Sequence, residues 1–564
     1  MAVTAFQEII LFLRGLSRVV FVGSKAFYGW MSFLTIFVLL GVWAYLFQWR
    51  EGLYVTNMRD QVSWGFYISN FTFLVGVAAA AVLLIIPAYL YSFKAIKKIV
   101  VFGEFLAVSA ILAALLFIGA DFGRPERFWH AIPGLGTLNF PSSVLAWDMI
   151  VLNGYLCLNL FISLYVGYYH YYGKEPKKAI LLPFILLSIP WAAGLHTVTA
   201  FVYNGLAARP FWNASILAPR FLASAFCSGP ALMIIIFQVL RKLTDFRIEN
   251  KAIAKLAEMI AYAMAINLFL LGAEIFKEYY SDTHHLSPLR YLYQGLHGHN
   301  RLVPWIWTAT AFNIIAFLLF LTPRTRNNLL TLNIGCALVF IGVWIEKGMG
   351  LIIPGFIPDT LGEIYEYMPS RFEVMISAGI WSFGAMLYTM FVRAAIALDT
   401  GRLRHPDAPP VVHEEEKGPR ARDIMSTRVI AVRPETSIEE VSKLLVSHRI
   451  SGLPVVDGDG KIIGVLSESD IIFREIHHEP HLVEKLGDMV LPRNLRASDR
   501  TGSTAGEIMT SPPLTAQEET PLKELVQIIT ERKIKRIVVV DKDARPVGVV
   551  SRIDIVKALE HISA

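Results

Sequence analysis

Cysteine is scarce. The 564 residues contain three, Cys157, Cys227 and Cys336, each inside an apolar stretch, and no C-x-x-C pair occurs. This excludes a thiolate set for an iron-sulfur cluster and an attachment site for covalent haem. Charge is scarce as well: Asp, Glu, Lys and Arg make up 17% of the chain, against roughly a quarter in a soluble domain. Among the histidines only His196 falls well inside an apolar stretch, with His170 at the opposite, cytoplasmic end of its stretch. Two axial histidines at one depth are missing, which argues against a b-type haem.

What the chain has instead is apolar length. Hydrophobic residues reach 54% and aromatics 12%, and the mean hydropathy is +0.49. Ten runs, near residues 27–47, 64–91, 97–119, 144–169, 179–205, 213–240, 252–276, 303–322, 328–346 and 372–397, fill the first two thirds. Each matches the roughly 20 residues a helix needs to cross a bilayer. In lipid the backbone must satisfy its own hydrogen bonds, so these runs predict an all-helical bundle. The formal charge of +6 needs no nucleic acid to explain it, because most basic residues flank the runs, where head groups and topology account for them.

Positive loops resist translocation. One set carries Arg14, Arg18, Lys25; Lys94, Lys97, Lys98; Lys174, Lys177, Lys178; Arg241, Lys242, Arg247, Lys251; Arg324, Arg326; and Arg393, Arg402, Arg404. The opposite set is longer, mixes acids with its arginines, and includes segments 277–302 and 347–371. Both termini are therefore expected in the cytoplasm. Residues 1–26 show no small-residue cleavage site after an apolar core and read as a helix on the inner surface.

Ionisable groups within hydrocarbon cost about 2.5 kcal/mol or more, so they mark chemistry. Trp64, Tyr67, Ser69 and Asn70 open the second run at its outer end and Asp148 opens the fourth; His196, Glu274 and Glu346 fall in the outer parts of the fifth, seventh and ninth. For any one of these an interhelical hydrogen bond or an interfacial anchor is the alternative reading. Together they suit proton-coupled quinol oxidation, which needs an acceptor for each hydroxyl proton and a route to water.

The segments "SWGFYISNFTFLVGVAAAAVLL", "GADFGRPERFWH", "NFPSSVLAWDMIVLNGYL" and "IEKGMGLIIPGFIPDTLGEIYEYMPSRFEVMISAGIW" resemble the NrfD/PsrC family of quinone-reactive membrane subunits, which carry no haem or iron-sulfur cluster of their own. Ten spans with long outer loops are most similar to the branch found in sulfite-reduction-associated electron-transfer complexes. The resemblance implies a menaquinone or similar quinone near the outer face, an iron-sulfur ferredoxin-like subunit docked there, and further subunits, some haem-containing. It places His130 and Asp148 against the quinone as hydrogen-bonding and proton-accepting residues, with Trp64, Tyr67 and Asn70 as pocket wall. His196, Glu274 and Glu346 are then candidates for the proton path. The alternatives are an interfacial loop histidine for His130 and a salt bridge to Arg124 or Arg127 for Asp148. Asp121, Arg124, Glu126 and Arg127 read as a charged cap. His284, His285, His297 and His299 read as part of a docking loop rather than a metal site, because no cysteine or carboxylate completes the spacing.

Beyond the Pro-rich and charged segment 398–420, an exposed linker, the chain repeats itself. "DIMSTRVIAVRPETSIEEVSKLL" aligns with "EIMTSPPLTAQEETPLKELVQII" and "RISGLPVVDGDGKIIGVLSESDII" with "KIKRIVVVDKDARPVGVVSRIDIV", at a constant offset of 84 residues that matches Met425 to Met509, Gly464 to Gly548 and Asp470 to Asp554. β-rich runs alternate with amphipathic helices, predicting two α/β modules. The repeat resembles a CBS-domain pair, which implies AMP, ADP or ATP as ligand. Ser467 with Asp470 and Ser551 with Asp554 would bind ribose and phosphate, and Arg552 would add charge; helix capping is the alternative role.

The expectation is an all-α polytopic membrane bundle of about ten transmembrane helices followed by an α/β tandem CBS domain. Its parts are a surface helix at 1–26, a transmembrane domain at 27–397, the linker and the pair at 421–564. It is expected to serve in a quinone oxidoreductase complex of the cytoplasmic membrane. The alternative is a CBS-gated ion or solute transporter, which spans broken mid-membrane would favour; beyond "SIPWAAG" no such break is legible.

Overall fold

The computed structural model describes residues 2–563 apart from 92, 133, 245, 247, 284, 360, 410–418, 473–501 and 533; for 2–9 and 560–563 it describes the backbone alone. His284 and Arg247 thus lie outside the described residues. The chain forms two compact units, Met1–Val411 and Val412–Ala564.

The first unit is built from helices. A leading helix α1 (Ala2–Phe21) is held to the last helix of the unit by the Arg393 guanidinium, which donates to the Val19 and Val22 carbonyls. Among the described residues, ten helical segments long and apolar enough to cross a membrane follow. They comprise α2 (Lys25–Glu51); α3 (Phe66–Ala79) continued by α4 (Val82–Ile85); α6 (Val100–Asp121), which follows a short α5 (Lys94–Lys97); α7 (Val144–Tyr171); α8 (Lys178–Asn204); α9 (Leu217–Leu243); α10 (Asn250–Ser281); α12 (Val303–Leu321), which follows α11 (Leu286–Tyr293); α14 (Leu329–Lys347), which follows α13 (Pro323–Arg326) and leads into α15 (Met349–Ile352); and α16 (Arg371–Asp399).

Apolar composition on all sides suits a helix to the interior of a bundle or to lipid. The α3–α4 segment is 83% buried over its most apolar window, and α2, also apolar but peripheral, only 17%. Small residues set the closest crossings: a Cβ built on Gly41 of α2 would stand 2.7 Å from the Gly379 Cα of α16.

Two spans are broken at points where the apolar pattern runs on without a mark. Helix α3 yields at Ala80–Ala81 before α4, and a π-helical turn follows at Ile86–Leu90. Helix α14 stops at Gly348, and α15 restarts at once. By contrast α8 carries Pro183 and Pro190, the latter in "SIPWAAG", without interruption.

The loops 53–65, 205–216, 294–302 and 353–370 pack against the helix ends and one another, making one face rich in irregular chain. The Asn57 amide donates to Glu373 Oε2 at 2.9 Å, Trp212 Nε1 to the Leu351 carbonyl at 2.9 Å and the Arg301 amide to Glu366 Oε1 at 2.9 Å.

The second unit is the expected α/β repeat. Its described helices are α17 (Ala421–Ile424), α18 (Ile438–His448), α19 (Ala505–Ile508), α20 (Leu522–Glu531) and α21 (Arg552–Ser563). Strands β1 (Gly452–Val456) and β2 (Ile462–Ser467) pair antiparallel; β3 (Thr515–Gln517) runs parallel to β4 (Arg536–Val540), which pairs antiparallel with β5 (Pro546–Ser551). The segments that begin each repeat are exchanged. Ala421 joins the core of the second repeat around Leu525 and Val539, and Ala505 and Ile508 join that of the first around Val441 and Val455. This explains the matched Met and Gly positions: Met509 lies against Gly464 and Met425 against Gly548, so closely that no Cβ fits at either glycine.

Candidate functional site

Near the loop-rich face α7 buries Asp148 just beyond its first turn, and Thr199 Oγ1 of α8 donates to its Oδ1 at 2.6 Å. No ion pair to Arg124 or Arg127 forms among the described residues; Arg124 instead meets Glu126 at 3.6 Å, at the surface. His130 lies exposed in a 3-10 turn, Pro125–Ala131, with its ring 3.8 Å from that of Trp129. The following turn folds so tightly onto its backbone that Gly136 admits no side chain. No hydrogen bond or ion pair among the described residues joins His130 to Asp148.

The other wall candidates divide. Trp64 packs against Tyr203, Trp212 and Phe356 at ring-centroid separations of 5.8, 5.7 and 5.9 Å. The Tyr203 hydroxyl meets Thr72 Oγ1 at 2.5 Å. Tyr67 and Asn70 use their polar atoms on the bundle itself. Tyr67 donates to Gln48 Oε1 at 2.6 Å, and Asn70 Oδ1 accepts from the indoles of Trp344 and Trp381, both at 3.0 Å. His196, Thr199 and Tyr203 follow one another at helical spacing on a single face of α8.

Glu274 and Glu346, expected on a proton path, are ion-paired to Arg220, a cation inside the apolar run 213–240 that is not among the sequence-based candidates. Arg220 of α9 bridges Glu274 of α10 and Glu346 of α14, the latter at 2.8 Å. Glu346 Oε2 also accepts from Asn313 at 2.9 Å and from Asn267 at 3.4 Å. The next residue, Lys347, is buried too, with Nζ 3.7 Å from Glu346 Oε1 and 5.3 Å from the Phe221 ring centre. Two cations and two anions thus share one buried site, which satisfies the rule that such charges pair inside a membrane. A second group absent from the sequence-based candidates is Glu104 of α6, buried, accepting from Ser163 Oγ at 3.2 Å. Both Arg220 and Glu104 are visible in the sequence as lone charges near the ends of apolar runs, which is the signal that could have found them.

Two cavities lie in the first unit, the second of them beside His196 and Lys347; Trp64, Tyr67, Asn70, His130 and Asp148 line neither. One, of about 180 Å³, is almost wholly apolar and is lined by Phe66, Leu292, Trp305, Trp344, Met349 and Met368 among others. The second, of about 10 Å³, is lined by Thr72, His196, Phe221, Ser224, Ser228 and Lys347 among others.

In the second unit Ser467 N and Oγ donate to Asp470 Oδ2, both at 2.7 Å, and Ser551 N and Oγ to Asp554 Oδ2 at 2.9 and 2.6 Å. The two serine-aspartate pairs therefore cap their own helices in this state. Arg552 Nε donates to the Ile534 carbonyl at 3.1 Å.

A ten-span bundle with polar groups gathered beneath one loop-rich face, followed in the chain by a paired α/β repeat, defines a polytopic membrane protein with an appended module. The chain belongs to the family described as polysulphide reductase, NrfD, whose pattern matches residues 54–357, more than half its length. Residues 421–476 and 505–561 match the CBS domain. A selenate reductase component from Mesobacillus selenatarsenatis is 24% identical over 417 residues, covering 66% of this chain and 93% of the relative. The Hdr-like menaquinol oxidoreductase integral membrane subunit of Archaeoglobus fulgidus is 24% identical over 385 residues, covering 65% and 92%. The crystal structure of CBSX2 in complex with AMP shares 28% identity over 26% of this chain and all of that one, with a TM-score of 0.21.

Proposed function

We propose that the first unit binds a quinone of the menaquinone type near the loop-rich face and exchanges electrons with an iron-sulfur subunit docked on that face. The membrane is the cytoplasmic one, with both termini inside and 277–302 and 347–371 outside. The observation that carries the reading is the buried line of proton-holding groups from Asp148 through Thr199, beside Tyr203 and Thr72. The aryl-lined cavity near Phe66 and Trp344 suits a flat ring or its apolar tail, so the residues present fit the group. A bound quinol would supply the electrons and protons; the chain supplies the pocket and the proton acceptors. Asp148, held by Thr199, would take a hydroxyl proton. His130, at the surface beside Trp129, would orient or contact the ring from the loop side, and Trp64 with its aromatic neighbours would wall the pocket. The relatives named as selenate reductase and menaquinol oxidoreductase components support a multi-subunit setting. The second unit would bind an adenine nucleotide through Asp470 and Asp554.

Extraction of quinone from the purified complex, with electron transfer measured in Asp148→Asn, tests this. That variant keeps shape and loses charge, so turnover should fall by about 100-fold or more, as for a lost general base. Unchanged turnover in an assembled complex removes the assignment. The broken spans at Ala80–Ala81 and Gly348 give the transporter reading a specific foothold; a complex with no quinone and with ion uptake in vesicles would favour it.

A further inference from the structure

Three of the four buried charges around Arg220 have fixed partners. Arg220 is shared by two carboxylates, and Glu346 accepts from Arg220, Asn267 and Asn313. Lys347 differs: its Nζ has no hydrogen bond among the described residues, and it lines the small cavity together with His196, whose Nδ1 has none either. That cavity, about 10 Å³, has the size of one water molecule. Its other polar lining is hydroxyl: Ser224 and Ser228 donate to backbone carbonyls of their own helix, which leaves their lone pairs free to accept. Thr72, bonded to Tyr203, leads from it toward the Asp148 end of α8.

An arginine does not release its proton inside proteins, whereas a buried lysine can. Lys347 is therefore the cation of this cluster whose proton can move. We propose that Lys347 and His196 form a proton-exchange station. The Lys347 ammonium loses one N–H bond and the His196 ring gains one through a single water in the shared cavity, and the positive charge shifts from α14 to α8 without oxidation or reduction. The groups that face Lys347 set the balance: Glu346 on its own helix, Arg220 and Cys227 on α9, Glu274 on α10 through Arg220, and His196 on α8. With Lys347 charged the cluster is neutral; once the proton has passed to His196, the neutral site becomes an anionic cluster facing a cation across the cavity. The break at Gly348 directly after Lys347 gives its backbone room to follow that change. This inference rests on the proton-handling part of the reading above and adds the residue that exchanges.

Infrared pH-jump spectroscopy on the purified full-length chain, which needs no quinone, tests it. The ring band of His196, assigned by its loss in His196→Gln, should titrate in two steps in the native protein. In Lys347→Met it should titrate in one step, displaced by at least about one pH unit, the tenfold effect of a neighbouring charge. Lys347→Arg, which keeps the charge and assembles where Met does not, should also give one step, displaced the opposite way. A His196 band that titrates identically in all three proteins, or in none of them, overturns the station. Quinone extracted from the same samples reports separately on the quinone reading: its absence sinks that reading and leaves this comparison intact.

Discussion

Arg536 Nη1 donates to the carbonyl of Gly452 at 3.2 Å, and Gly452 is the residue 84 positions earlier to which Arg536 corresponds in the repeat. The two halves of the second unit are thereby unequal. Gly452 stands opposite Ser467 in the β1–β2 ladder, whereas Arg536 stands opposite Ser551 in the β4–β5 ladder. On the nucleotide reading proposed above, a ligand at Asp470 would meet bare backbone on the partner strand, while one at Asp554 would meet the arginine stem. Calorimetry of AMP with the full chain should find one strong site. Asp470→Ala should abolish it, along with the logarithmic rise of melting temperature with nucleotide, and Asp554→Ala should leave most of it. Equal losses would refute the inequality.

Removing Arg220 strands Glu274 and takes from Glu346 its nearer cation. Arg220→Met should destabilise the assembled protein by about 3–5 kcal/mol, the cost of breaking one partner out of a buried ion pair. Adding Glu274→Gln should recover a large part of that loss, since Lys347 remains beside Glu346. Thermal aggregation in detergent provides the measurement, and a double variant no better than the single one would contradict the pairing.

Asn70 serves two indoles at once, so Asn70→Leu leaves both Trp344 and Trp381 without that acceptor. A loss of about 1–3 kcal/mol per orphaned donor is expected. Tryptophan fluorescence should show both rings released, whereas Trp344→Phe alone should cost no more than one such share.

At the loop-rich face Glu366 accepts the Arg301 amide and lies within 3.3 Å of Arg301 Nε and 3.5 Å of His299 Nδ1. Burial pushes its carboxyl up, but the amide bond and the His299 and Arg301 charges outweigh that and hold it below its ordinary value. A carboxylate depressed on folding contributes stability that is complete above its unfolded value, about pH 4.3, and is lost as pH falls through the lower folded value. Hydrogen exchange at 296–303 should therefore accelerate below about pH 4, and Glu366→Gln should exchange fast at every pH. A flat pH response would exclude the clamp.

Topology is checked by single cysteines at Ser281 and Asp359. Impermeant reagent outside the cell should label both; labelling only from the cytoplasm would invert the orientation and remove the external docking face.

The ten spans and the repeat are legible in the sequence because their signals are local: long apolar runs and a gapless offset. The match of Met425 to Met509 and of Gly464 to Gly548 is visible too, but not its cause, since the exchange of Met425 and Met509 between repeats is a tertiary event. Glu274 and Glu346 stand out as buried acids, yet their partner Arg220 lies 54 and 126 positions away, and no local pattern ties it to them. Lys347 is hidden by its neighbour: a Glu-Lys step at the end of an apolar run reads as the start of a loop, whereas here the helix reaches Lys347 before it breaks. The breaks at Ala80–Ala81 and Gly348 carry little sequence signal, because alanine favours helix and glycine is tolerated in a membrane span.

The four-charge cluster also constrains how the chain is made. Helices α9, α10 and α14 each bring an ionised group that would cost some 2.5–3.5 kcal/mol at the centre of a lone membrane helix and less near the ends, where these groups lie. Arg220 leaves the ribosome before Glu274, and the two neutralise each other as adjacent helices; Glu346 and Lys347 arrive together as a zwitterion. The order of synthesis thus gives Glu274 and the Glu346–Lys347 step a counter-charge on arrival, whereas Arg220 waits for α10.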